Sequence, residues 1–319
     1  MDKTITVIPH STSFTLASKV KDYFILIKFT LSFLVVFSSV VCYLLAPNVH
    51  YNFLSVFLLF VAGMLITGSA NAINQTVEKD TDALMRRTAG RPVAAGRMTT
   101  NEGWTFAIIC GALGILIMWQ WFNFASALLS LFSLFLYAFV YTPLKKVNSI
   151  SVIVGAFPCA LPCLIGWVAG TGYINPFVEF QGTLASGEVH TFFNYGGYIL
   201  FAIQFLWQFP HFWAIAWLAH KDYEKAGFKL LPSAAGPTRF TAMQTVIYSM
   251  MMVPVGMLPY YFGIGGVLAL GILLVCNLWM VYVSILLLIK MNATSARRVM
   301  FSSYFYLMIV FLALLFDKL

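Results

Sequence analysis

Nine apolar runs, each near the roughly 20 residues that a membrane-crossing helix needs, leave this chain of 319 residues few ways to fold. They cover about 24–46, 52–73, 104–121, 124–142, 150–169, 197–218, 242–261, 264–288 and 299–317. Only 9% of the residues are charged, and mean hydropathy is +0.86; a soluble domain carries about 25% charged residues. The expected fold is all-α, a polytopic membrane protein of nine transmembrane helices.

The basic residues test that count. Eighteen of the 19 Lys and Arg fall on one side of the nine-span topology. The N-terminal tail holds Lys3, Lys19, Lys21 and Lys28, and the second-to-third loop holds Lys79, Arg86, Arg87, Arg91 and Arg97. The fourth-to-fifth loop holds Lys145 and Lys146. The sixth-to-seventh holds Lys221, Lys225, Lys229 and Arg239, and the eighth-to-ninth holds Lys290, Arg297 and Arg298. Only Lys318 falls opposite. Positive loops face the cytoplasm, so the N-terminus is expected in the cytoplasm and the C-terminus outside. Net charge is +8, but because it sits in short loops between spans it points to membrane orientation and not to nucleic acid.

The N-terminal segment contains Asp2 and Asp22 and no Arg before Lys28, unlike a transit peptide, and it has no short apolar region ending in a cleavage site. Residues 1–23 are read as a cytoplasmic tail and 24–319 as one transmembrane domain. Cys42, Cys110, Cys159, Cys163 and Cys276 all lie in apolar runs without paired CxxC spacing, and are read as small buried hydrophobes. The long fifth-to-sixth connection, 170–197, carries Glu179 and Glu188 and is assigned no chemistry.

Chemistry concentrates in three places. The first is NAINQTVEKDTDALMRRTAGRPVAAGRM, Asn71 to Met98, which follows directly on an apolar run. Asn74, Glu78 and Asp82 are four residues apart, and on a helix such a series stacks along one face. Arg87 and Arg91 follow. Oxygen ligands that hold Mg²⁺, followed by guanidiniums that hold phosphate, point to a diphosphate site at the mouth of a membrane bundle. A solvated cytoplasmic loop explains the Arg excess, but not Asn74 placed where the span is still buried. Asp80 lies on another face and is a metal ligand only if the helix unwinds.

The second place is WQFPHFWAIAWLAHKDYEKAGFKLLP, Trp207 to Pro232, which again runs from a span into a cytoplasmic loop. It holds His211, Lys221, Asp222 and Tyr223, with His220 and Glu224 read as solvated. Pro210 is expected to kink the span and open space beside His211. The third is YTPLKKVNSISVIVGAFPCALPCLIGW, Tyr141 to Trp167. Lys145 and Lys146 either hold diphosphate or an acidic substrate group, or anchor the membrane surface. Pro158 and Pro162 fit best beside an internal cavity. The first four spans and the last four look like two related halves, each with one acidic site.

These residues resemble the UbiA superfamily of intramembrane prenyltransferases. The superfamily's first Asp-rich motif, N-x-x-x-D-x-x-x-D, is here Asn74, Glu78 and Asp82, with Glu in the middle position. Within it the chain is similar to the haem O synthases, the protohaem IX farnesyltransferases. That similarity rests on Asp80 to Pro92, on YTPLKK at Tyr141 to Lys146, on GAFPCALPCLIGW at Gly155 to Trp167, and above all on the HFW, KDY, AG and LP elements of Pro210 to Pro232. The resemblance implies nine helices around a central cavity, Mg²⁺-bound farnesyl diphosphate, and haem B as the acceptor substrate. The product is then haem O, destined for terminal oxidases, and contact with a haem A synthase or a terminal oxidase is an expected partnership.

In that reading Asn74, Glu78, Asp82 and Asp222 hold Mg²⁺. Arg87, Arg91 and Lys221 neutralise the leaving diphosphate, and Lys145, Lys146 and Tyr223 contact substrate. Trp207, Phe212 and Trp213 are candidate shields for an allylic cation. His211 either ligates haem iron or handles a proton near the vinyl group. The alternative acceptor is an aromatic quinone precursor. A transporter would place its acids near the bilayer midplane, whereas these sit at the ends of spans.

Overall fold

The polypeptide is described here by a computed structural model over residues 15–47, 49–183, 189–233 and 235–319. Its helices are α1 (Leu16–Leu26), α2 (Phe29–Leu45), α3 (Phe53–Val77), α4 (Lys79–Leu84), α5 (Thr100–Ile117), α6 (Phe124–Phe135), α7 (Thr142–Leu144), α8 (Ser151–Thr171), α9 (Gly196–Leu218), α10 (His220–Lys225), α11 (Arg239–Tyr261), α12 (Val267–Lys290) and α13 (Ala293–Phe316). π-helical turns, Met118–Phe122 and Leu136–Tyr141, extend α5 and α6. Among the described residues eight helical runs are long and apolar enough to cross a membrane, and the bent pair α1–α2 makes a ninth.

The first span differs most from expectation. α1 meets α2 at an angle of 51°, and Lys28 stands at the break with φ 48° and ψ 56°. A break inside a membrane frees carbonyls that have no water to turn to. Two side chains of α3 satisfy them. Gln75 Nε2 donates to Ile25 O and Leu26 O, at 3.0 and 2.8 Å, and Asn71 Nδ2 donates to Ile27 O at 3.2 Å. Residues 16–23, expected in the tail, belong to α1. Two of their charges are tied down, Asp22 to Arg97 at 2.8 Å and Lys19 to Glu102 at 2.8 Å. Residues 1–14 of the expected tail lie outside the described residues.

α8 and α9 form the centre of the bundle, with 72% and 67% of their apolar windows buried. Pro162 cannot donate to Pro158 O, and Ser133 Oγ supplies that bond from α6 at 3.2 Å. Gln204 on α9 likewise donates to Cys159 O. Pro162 is thus accommodated inside the protein, where another element re-satisfies the backbone. At Gly166 α8 and α2 touch closely, since a Cβ there would lie 1.9 Å from Ser39 O. Close approach at small residues drives packing between membrane helices.

The two ends of the bundle differ in chemistry. At one end Lys229 N donates to Lys145 O, Arg87 reaches Tyr223, and Lys28 reaches Asn74. This gathers the first-span break and the second-to-third, fourth-to-fifth and sixth-to-seventh loops. At the other end Asn123 bonds the last carbonyls of α8. There too Lys318 Nζ caps α2 through Leu44 O and Ala46 O, and Asp317 caps α12 at Ala269 N. The 170–197 connection contains a two-stranded antiparallel hairpin that the sequence reading did not foresee, β1 (Glu179–Thr183) paired with β2 (Val189–Phe193). Asn194 ties its base to Trp167 at 2.7 Å and to Tyr173 O.

Candidate active site

The two halves share one local device. α3 stops at Glu78, with φ −92° and ψ 11°, and the chain restarts as the short helix α4. α9 stops at Ala219, with φ −96° and ψ 11°, and restarts as α10. Spacing by four carries one face through each break, as Asn74, Glu78 and Asp82 in the first half and His211, Ile215 and Tyr223 in the second. All six line a cavity of about 190 Å³ at the basic end of the bundle.

Its polar wall is a set of internal ion pairs. Arg91 Nη1 donates to both oxygens of Asp82 at 2.7 Å, and Asp82 is fully buried. Lys145 Nζ lies 2.8 Å from Glu78 Oε1. Both partners are buried. Lys28 Nζ donates to Asn74 Oδ1 at 3.2 Å, and Asn74 Nδ2 turns to Thr142 at 3.4 Å. Arg87 Nη2 donates to the Tyr223 hydroxyl at 3.1 Å. Burial pulls the Lys145 ammonium below the usual lysine range, against the opposing pull of Glu78. Burial likewise raises the Tyr223 phenol.

The apolar wall comes from Tyr137, Tyr141, Phe212, Ile215 and Phe228. The π-helical turn at Leu136–Tyr141 brings Tyr137 and Tyr141 to the same wall, with ring centroids 5.3 Å apart. Lys145 follows four residues later and lies over the Tyr141 ring at 4.7 Å. Such turns recur at functional sites because they shift the register of a helix.

The structure therefore brings Asn74, Glu78, Asp82, Arg87, Arg91, Lys145, His211 and Tyr223 to one cavity. Lys146, Lys221 and Asp222 do not line it. Lys146 and Lys221 are exposed, and Asp222 is half-buried. Four residues beyond the α9 break comes Tyr223, which takes the place that Asp82 takes in the first half. Asp222 is one residue short of that face. Asp80 is exposed, as its angle around the helix implies. Among the aromatic candidates Phe212 lines the cavity, Trp207 stacks on His211 at 4.7 Å, and Trp213 packs away against Tyr248.

Sequence reasoning did not single out Lys28, Tyr137 or Tyr141 as site residues. The signal for the tyrosines was the 137, 141, 145 spacing of four ahead of a known lysine. The signal for Lys28 was a lone cation inside the apolar run YFILIKFTLSFL.

Among the described residues no three His, Cys, Asp or Glu side chains gather as a metal cage. That fits Mg²⁺ better than a structural metal, because Mg²⁺ is bound through one or two carboxylates together with substrate phosphates. Glu78 and Asp82 are two such carboxylates, and the amide oxygen of Asn74 is a third oxygen on the same cavity wall. The cavity is smaller than the ~300–1,000 Å³ of ordinary ligand pockets, so it matches the polar head of a substrate and not a whole prenyl chain.

Known proteins share the sequence pattern and the fold. The sequence profile of the UbiA prenyltransferase family matches residues 35–313. The protoheme IX farnesyltransferase of Cytophaga hutchinsonii is 40% identical over 307 residues, 95% of this chain and 99% of that one. A solved structure of a digeranylgeranylglyceryl phosphate synthase superposes with TM-score 0.72 at 20% identity, covering 94% of this chain and 98% of that chain. A UbiA homologue from Archaeoglobus fulgidus bound to GPP and Mg²⁺ superposes with TM-score 0.61 at 16% identity, covering 92% and 99%. The chain belongs to the UbiA prenyltransferase family and, within it, to the protohaem IX farnesyltransferases.

Proposed function

We propose that this prenyltransferase transfers the farnesyl group of farnesyl diphosphate to a vinyl group of haem B, with addition of water, to give haem O. The observation that carries the reading is the meeting, in one cavity, of a carboxylate and guanidinium wall from the first half with His211 from the second.

In this reading Asn74, Glu78 and Asp82 hold Mg²⁺ and the diphosphate lies against Arg87, Arg91, Lys145 and Lys28. Bound there, Mg²⁺ supplies charge neutralisation to the diphosphate. Arg91 is paired with Asp82 and Lys145 with Glu78. A bound metal and diphosphate would take up these charges in place of the internal pairs, which limits the cost of desolvating them. Positioned cations in a water-poor site are worth more than in water and need no reorganisation during the reaction.

The farnesyl C–O bond breaks and its electron pair leaves with the diphosphate. Tyr137, Tyr141 and Phe212 offer ring faces to the allylic cation and shield it from water. The terminal vinyl carbon of haem forms the new C–C bond. Water adds to the resulting cation beside the porphyrin ring and loses a proton, leaving the hydroxyethylfarnesyl group. His211 stands across the cavity from the acidic wall, as ligand to the substrate's iron or as proton acceptor. Asp222, Lys146 and Lys221 do not line the cavity and are given no step in this reading. The basic end of the bundle faces the cytoplasm of a bacterial inner membrane, where farnesyl diphosphate is a soluble-headed substrate.

The test is product analysis. Membranes containing the protein are incubated with haem B, farnesyl diphosphate and Mg²⁺, and extracted haems are separated and weighed. A new haem heavier by a farnesyl group plus water, lost with EDTA, is the expected result. Prenylated hydroxybenzoate or naphthoate formed in place of it, in membranes supplied with those acceptors, would overturn the haem assignment.

A further inference from the structure

His211 is held by more than its own helix. Its Nδ1 lies 2.8 Å from Ser303 Oγ on α13. The same Ser303 oxygen lies 2.6 Å from the carbonyl of Met300, one turn back in α13. A carbonyl cannot donate, so a separation that short requires the single hydroxyl proton of Ser303 between the two oxygens. Serine back-bonding of this kind is usual inside helices. Towards His211 the Ser303 oxygen then has only lone pairs to offer, and Nδ1 must carry the proton. The remaining ring nitrogen, Nε2, is left with a lone pair, and the ring that bears it lines the cavity.

The same residue fixes the plane of the ring. Trp207 Nε1 donates to Ser303 O at 2.7 Å, and the Trp207 ring stacks on the imidazole at 4.7 Å with 16° between planes. Tyr304, next in α13, meets the imidazole edge-on at 5.2 Å. Ser303 is fully buried, and its hydroxyl and carbonyl are both committed to this arrangement. A buried serine that served only packing would not need to present an acceptor to a cavity histidine.

We infer that Ser303 is a positioning residue for the reaction: it holds His211 as the Nδ1–H tautomer and so presents the Nε2 lone pair to the acceptor substrate. The inference rests on the haem reading only for the identity of that substrate. Fixing of a functional imidazole by a hydrogen bond to its far nitrogen is a general device. Both roles open to His211, ligation of iron and acceptance of a proton, need a lone pair on the nitrogen that faces the guest.

Two measurements on the full-length protein test it. The first is the ¹⁵N spectrum of histidine-labelled protein in detergent without haem, with His211 assigned by its loss in His211→Ala. The inference predicts a protonated Nδ1 and a bare Nε2, a mixture of tautomers in Ser303→Ala, and the wild-type pattern in Ser303→Thr, which keeps the hydroxyl. A protonated Nε2 in the wild type, or an unchanged spectrum in Ser303→Ala, would overturn it. The second is haem titration followed in the Soret region. Ser303→Ala is expected to weaken haem affinity by about tenfold, the lower part of the range for such supporting partners, to leave the KM for farnesyl diphosphate unchanged, and to be rescued by Ser303→Thr. Equal loss in Ser303→Ala and Ser303→Thr would mark a packing role and overturn the inference. If the wild type binds no haem while the ¹⁵N result holds, the haem reading fails and the role of Ser303 stands.

Discussion

Replacing Lys145 by Met removes a buried cation from a site that was neutral as a pair. Lys145 is 7% exposed and Glu78 4% exposed, and their charged atoms lie 2.8 Å apart. At an effective dielectric constant of about 20 that separation corresponds to an attraction of about 6 kcal/mol. Desolvation offsets much of it in the intact pair, but Lys145→Met leaves the Glu78 carboxylate buried and alone. Breaking a buried pair from one side costs about 3–5 kcal/mol, or roughly 10 °C in apparent melting temperature for a chain of this size. Glu78→Gln should cost a similar amount, because it strands the ammonium. The double variant Lys145→Met/Glu78→Gln strands nothing and should recover at least ~2 kcal/mol relative to the sum of the singles. Turnover should not recover, since the double variant lacks both a diphosphate cation and a metal carboxylate, and a loss of about 10²-fold or more is expected in all three. Thermal unfolding in detergent and product formation, measured on the same preparations, separate the two effects. A Lys145→Met protein as stable as wild type, or a double variant that loses the full sum, would refute the reasoning.

Other elements give further expectations. Gln75→Leu removes the donor to Leu26 O and leaves Ile25 O with backbone donors alone; at about 1–3 kcal/mol for the stranded carbonyl, it should lower the melting temperature without touching the carboxylates. Gly166→Ala drives a Cβ into backbone at Ser39 and should abolish folded yield in fluorescence-detected size exclusion. Gly271→Ala, which meets no atom within 4 Å, should be neutral in the same experiment. Tyr223→Phe removes the acceptor of Arg87 and should raise the KM for farnesyl diphosphate severalfold with haem affinity unchanged.

The sequence carried the span positions well, because a bilayer imposes one length and one chemistry on every crossing segment. It carried the first motif for the same reason: Asn74 so deep in an apolar run has few structural uses. What it did not carry is where helices break. Glu78 and Ala219 have no proline or glycine to announce a stop, and the break follows from how both halves meet the cavity. Without the second break, Asp222 and Tyr223 are equally good site residues by spacing, and only the fold separates them. Asn71 and Gln75 read as part of a polar cluster, but their work is to cap the bent first span, a contact 44 to 50 residues away in sequence. The 170–197 hairpin was missed because short strands outside the membrane leave no hydropathy signal.

The central claim is that the polar wall of this cavity is a metal-dependent diphosphate site. Calorimetric binding of farnesyl thiodiphosphate, which resists ionisation, to the purified protein tests it most directly. The account predicts binding that requires Mg²⁺, disappears with EDTA, and is lost in Asp82→Asn. Binding of equal strength with EDTA, or unchanged in Asp82→Asn, would contradict it.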